Sequence, residues 1–164
     1  MENHTTAYWK FAAMIATSTL VMFGLMYLNT YAFDHVWFSE TRLYMALVMG
    51  ASMAMVMFAS MLNMYKDRRI NIAIFAGSVT VFALSLWLVR SQAMVGDEAW
   101  MKAMIPHHSI AILTSERANI RDPRVRELAD GIIETQQQEI AEMEALIADI
   151  DQNGLQQEQQ RSPD

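Results

Sequence analysis

The residues best equipped for chemistry lie together at Trp100-Met101-Lys102-Ala103-Met104-Ile105-Pro106-His107-His108. Positions three and four apart share one face of a helix. Asp97, Met101, Met104 and His108 follow spacings of four, three and four, so a helix would align them, with His107 three residues after Met104. A second set, Gln136, Glu139 and Met143, follows spacings of three and four. On two antiparallel helices the two sets would meet near mid-length and gather imidazole, carboxylate and thioether. Imidazole with thioether favours copper in either oxidation state and, by analogy, silver; imidazole with carboxylate alone also admits zinc. The chain has no cysteine, which excludes disulfides and thiolate sites. Soft-ligand chemistry therefore falls to its 15 methionines.

A purely structural reading of the same residues stands beside the metal site. Adjacent histidines project about 100 degrees apart on a helix and need not share an ion. Pro106 frees the Lys102 carbonyl, and one histidine could simply patch that gap. Met104 and Met143 could be flexible core filler. The pattern is less specific than a four-ligand zinc motif. Spacing alone leaves both readings open.

The elements that must position these residues are two helices. After a connection at Ser91 to Gly96, the first runs from about Asp97 to Ala118. The second opens with Asp122 as N-cap and Pro123 at its first position. It carries an apolar stripe at Val125, Leu128, Ile132, Gln136, Ile140, Met143, Ile147 and Ile150, and Gly154 is the expected stop. The short loop at Asn119 to Arg121 forces an antiparallel hairpin. Two helices bury two apolar stripes poorly, so a symmetric homodimer completing a four-helix bundle is the economical arrangement.

Ahead of this hairpin lie three stretches without charge, at about 11–33, 43–65 and 70–89, each long enough to cross a bilayer as a helix. Interfacial aromatics, among them Tyr8, Trp9, Tyr31, Trp37, Tyr44, Tyr65 and Trp87, mark their ends. The basic cluster Lys66-Asp67-Arg68-Arg69, with Lys10, places the N-terminus and the second loop in the cytoplasm. The tail is then outside a bacterial cytoplasmic membrane, in the periplasm or beyond. His4 and His35 fall on opposite sides and are read as interfacial residues. In the second span Met45, Met49, Met53, Met57 and Met61 recur every fourth residue. Such a ladder could conduct Cu(I), but Gly50, Ala51, Ala54 and Ala59 beside it argue for helix packing.

From Ser91 onward six basic residues face fourteen acidic ones, so the tail is about −8 and the rest about +2. That acidity argues against nucleic acid as a partner. No Glu-x-x-His pair, Ser-His-Asp motif or phosphate loop occurs, so no enzyme is expected.

The sequence Met101-x-x-Met104-Ile105-Pro106-His107-His108-x-x-Ala111-Ile112, with the later Leu128-Ala129-x-x-Ile132-Ile133-x-x-Gln136-x-x-Glu139-Ile140-x-x-Met143, resembles the bacterial domain of unknown function 305. The resemblance covers about Asp97 to Ile150. It implies a helical, exported, ferritin-like domain, in some members connected with copper or silver binding. Carried over residue by residue, it implies Met104, His107 and His108 as ligands, with Asp97, Met101, Glu139 and Met143 nearby. This chain departs from the common pattern in having one paired-histidine motif where many relatives have two, and three spans in place of a secretion signal. The expected fold is all-α: a three-span membrane domain at 1–90, an extracytoplasmic hairpin at 91–155 and a disordered tail at 156–164. The expected function is copper or silver capture by a membrane-anchored protein, with an interaction module or a methionine-lined conduit as alternatives.

Overall fold

The computed structural model describes residues 4–161. The described chain is all-helical, as the sequence predicts, with five α-helices: α1 (His4–Leu25), α2 (Glu40–Ser60), α3 (Arg68–Ser91), α4 (Asp97–Arg117) and α5 (Pro123–Arg161). Short 3-10 turns lie at Phe33–His35 and Leu62–Met64. The chain divides into two compact units, one of residues up to Met26 with Glu40–Met94, the other of Tyr27–Ser39 with the chain from Val95 onward.

The first unit holds three helices long and apolar enough to cross a membrane, over Thr6–Leu25, Glu40–Ser60 and Arg68–Ser91. The first ends at Leu25, earlier than the uncharged stretch reaching Phe33 suggested. The absence of charge could not mark that end, because Met26 to Phe33 carry none. The Arg42 guanidinium, buried at the start of α2, donates to the Met26 carbonyl just past the end of α1.

Small residues set the packing of α2. Ala46, Gly50, Ala51 and Ala54 are buried. A Cβ on Gly50 would lie 2.3 Å from Thr19 Oγ1, so α1 and α2 approach closely only because that position has no side chain. Met45 and Met49 are exposed, away from this seam, and so is Ala59. At the other end of the unit Tyr8, Phe11, Phe58 and Tyr65 form an aromatic cluster, with ring centroids 4.8 to 6.0 Å apart. The Asp67 carboxylate caps α3 by accepting from the amides of Arg69 and Ile70 at 2.9 and 3.2 Å.

In the second unit α4 and α5 form the antiparallel hairpin. The Arg126 guanidinium near the start of α5 donates to the Ser115 carbonyl near the end of α4, at 3.0 Å. Asp122 precedes α5 as expected, and the hydrogen-bonded Arg124 side chain holds its carboxyl below the usual carboxylate range. The helix does not stop at Gly154 but continues to Arg161, where a disordered tail was expected. A glycine inside a helix costs about 1 kcal/mol, which weakens the helix without obliging it to end. Residues 162–164 of that expected tail lie outside the described residues.

Met101, Ile105, Ile112, Ile140, Met143 and Ile147 make the hairpin core, with Trp37, Met104 and Ile133 packed against it. Of the predicted stripe of α5, Ile140, Met143 and Ile147 are buried. Val125, Leu128, Ile132 and Ile150 remain exposed.

Candidate functional site

Helix α4 runs unbroken through Pro106, which is itself buried. Its two histidines part company at once. His107 is exposed, while His108 turns toward α5, and their ring centroids are 6.0 Å apart. The roughly 100 degrees between neighbouring helical positions makes this separation unavoidable. His108 Nδ1 is 3.0 Å from the Met104 carbonyl. The carbonyl it meets is therefore Met104's, not the Lys102 carbonyl that Pro106 frees. His108 Nε2 lies 2.9 Å from Glu139 Oε2, and the Gln136 amide donates to that same carboxylate oxygen at 3.1 Å. The His108 side chain is 12% exposed and that of Glu139 47%.

The proton arrangement at His108 is unusual. The Met104 carbonyl can only accept, so Nδ1 must carry hydrogen. An ionised carboxylate can also only accept, so Nε2 facing Glu139 needs either a second proton or another cation. One ring sits between two acceptors. The contact therefore calls for one proton more than a neutral imidazole and a carboxylate carry between them, or a cation in its place.

The structure brings together part of the set the sequence predicts. His108, Glu139 and Gln136 are hydrogen-bonded neighbours, and Met101 and Met143 are buried in the same core, with Met104 against it. Asp97 stands elsewhere, exposed at the start of α4, where it lines a groove of about 340 Å³ with Trp100, Met101, Leu146 and Ile150. His107 is not part of the His108–Glu139 contact. Among the described residues, no three His, Asp or Glu side chains are grouped to hold an ion. A site here would have to draw on thioethers.

Sequence reasoning missed the loop before α2. Ser109, wholly buried on α4, accepts the Tyr31 amide at 2.7 Å and shares a 2.9 Å hydrogen bond with His35 Nδ1. Trp37 packs on the hairpin core, with the Lys102 ammonium 5.4 Å from its ring centroid. Lys102 also pairs with Glu98. The Trp37 indole N–H is buried and has no hydrogen-bond partner among the described residues. His35 is therefore not an ordinary interfacial residue. It is a tether for its loop. Nothing in the local pattern announced this, because the partners are 74 to 78 positions apart in the chain.

Over 72 residues the chain is 38% identical to an uncharacterized protein of Acanthamoeba polyphaga mimivirus, an overlap of 43% of this chain and 47% of that protein. The chain thus spans about half the length of the curated relative it matches. No solved structure matches. A family model, described as a domain of unknown function (DUF305), matches residues 88–163. That match takes in the hairpin that carries His108 and Glu139, as the sequence resemblance to the domain of unknown function 305 family predicts.

Proposed function

We propose that this protein captures a soft metal ion, Cu(I) or Ag(I), at the α4–α5 contact of a membrane-anchored helical domain. The observation that carries the reading is His108, held between two acceptors. Nδ1–H on a backbone carbonyl fixes the tautomer and turns Nε2 outward as a ligand, an arrangement common among metal-bound histidines. A cation at Nε2 would supply the charge that Glu139 requires. Met101, Met104 and Met143 pack in the adjoining core and would offer thioethers, the donor type that suits Cu(I) over harder ions. Opening the 2.9 Å contact to about 3.3 Å would admit a tetrahedral ion between nitrogen and oxygen. The role we assign is binding, without catalysis.

Two further parts of the reading concern setting. The three apolar helices cross a bacterial cytoplasmic membrane with Lys66–Arg69 inside. Three crossings put the α1–α2 loop and the tail on one side, and these two segments make up one compact unit. The exposed Val125, Leu128 and Ile132 would be covered by a second copy, completing a four-helix bundle.

A second reading rests on the same contact. If His108 is simply doubly protonated, the ring is a satisfied ion pair and the hairpin is an interaction module. The deciding experiment is a competition titration of the full chain in detergent with Cu(I), Ag(I) and Zn(II). Tight Cu(I) or Ag(I) binding lost in His108→Ala supports capture. No binding beyond that of the variant leaves the histidine structural.

A further inference from the structure

A groove of about 490 Å³ lies between α2 and α3 in the first unit. Its walls are apolar: Phe58, Leu62, Ile72 and Phe75, with the small Ala59 and Ala76 among them. Arg68 and Asn71 are its only strongly polar lining residues. Arg68, Ile72, Phe75 and Ala76 follow spacings of four, three and one, so a single face of α3 carries a cation and then hydrocarbon surface. From Arg68 to Ala76 this face extends about 12 Å along the helix.

The groove is held by contacts behind it. Asn71 accepts from the Tyr8 hydroxyl at 2.7 Å and donates to the Tyr65 carbonyl at 3.0 Å. Its polar atoms are thus committed, and the aromatic cluster of Tyr8, Phe58 and Tyr65 fixes the turn between the helices. Arg68 differs. It is exposed, as are Lys66 and Arg69, and none of the three has an ion-pair partner among the described residues. The acid in their midst, Asp67, is engaged in capping α3. Three cations against one acid leave about +2 at one end of an apolar groove.

We infer that this groove binds one anionic glycerophospholipid, its phosphate at Arg68 and an acyl chain along Ile72, Phe75 and Ala76. An apolar groove ending in cations without ion-pair partners matches a lipid in polarity and charge, whereas a free phosphate would make no use of the apolar walls. Basic pockets between membrane helices recognise anionic headgroups in this way. The inference rests on the membrane-spanning reading of α2 and α3 and is independent of metal capture.

The test is native mass spectrometry of the full chain released from detergent micelles. The micelles hold equal amounts of phosphatidylglycerol and phosphatidylcholine with the same acyl chains. The expected result is about fivefold preferential retention of phosphatidylglycerol, roughly the contribution of one basic residue at an anionic surface. Arg68→Gln should bring the ratio near one, and Arg68→Lys should keep most of it. Ala76→Phe, which fills the slot, should lower retention of both lipids. Arg90→Gln, at the far end of α3, should change neither. Equal retention of the two lipids by the unmodified chain overturns the inference. So does a preference that survives both Arg68→Gln and Ala76→Phe, or displacement of the lipid by equimolar inorganic phosphate. Should Arg68→Gln fail to fold, Ala76→Phe and Arg68→Lys still decide the matter. Alkaline extraction of membranes checks the spanning reading separately: release of the chain would count against spanning, while the micelle ratio continues to judge the groove.

Discussion

At the scale of residues, His108 and His107 are adjacent in sequence and different in kind. His108 is a quarter-turn of geometry away from its neighbour, faces α5 and touches Glu139. His107 faces solvent. His108→Ala should therefore weaken Cu(I) binding at least about tenfold, the lower end of what even outer-sphere losses at metal sites cost. His107→Ala should change it by no more than two- or threefold in the same competition titration. Equal losses from the two variants would place the ion away from the α4–α5 contact. Because an ion and a proton compete for Nε2, affinity should fall as the pH is lowered, and a flat profile would argue against an imidazole ligand. The spacing rules put His108, Glu139 and the buried methionines on facing helical surfaces, and in that respect the α4–α5 contact could be read from the sequence. They also put Asp97 in the set, and it stands at the far end of α4, three turns from His108. Spacing identifies a face but does not say how much of the face one site can reach.

At the scale of elements, two contacts carry most of the fold's specificity. Gly50 lets α2 approach α1, and an added methyl would meet the Thr19 side chain at 2.3 Å. Thr19 could rotate away only by giving up its 2.8 Å bond to the Ile15 carbonyl. Gly50→Val should lower stability by about 1–3 kcal/mol, as overpacking typically does, and thermal unfolding in detergent would measure it. Ser109 fixes the α1–α2 loop on α4. Ser109→Ala leaves the Tyr31 amide without its acceptor and should cost about 1–3 kcal/mol. Faster hydrogen exchange confined to Tyr27–Ser39 would separate that loss from general unfolding. The hairpin was legible because caps, a short loop and helical periodicity are local signals. The loop tether was not, since a serine on an apolar helix face has no signature of its own. The exposure of Met45 and Met49 was equally hidden, because a four-residue repeat fixes a stripe without saying what the stripe faces. Beside a buried seam of alanine and glycine, those methionines are placed for lateral contact with lipid or protein.

At the scale of the whole molecule, the apolar surface left on the hairpin is the strongest indication of a second copy. Val125, Leu128 and Ile132 follow spacings of three and four on α5 and are all exposed. Leu128→Glu should convert a detergent-solubilised dimer to monomer, as read by light scattering of the purified full chain. A wild-type monomer at micromolar concentration would remove the dimer from the proposal. These measurements need the full chain, since a fragment starting at Ser91 would lack Tyr27–Ser39, which belongs to the same unit. That shared unit also has a consequence for biosynthesis. The Tyr31 amide and the Ser109 hydroxyl are 78 residues apart, so at ordinary synthesis rates of 5–20 residues per second the loop waits about 4 to 16 seconds for its partner. During that interval Trp37 and its neighbours have no hairpin core to pack against. The tethered loop is thus a segment that is made early and gains its buried hydrogen bond only when α4 has followed it.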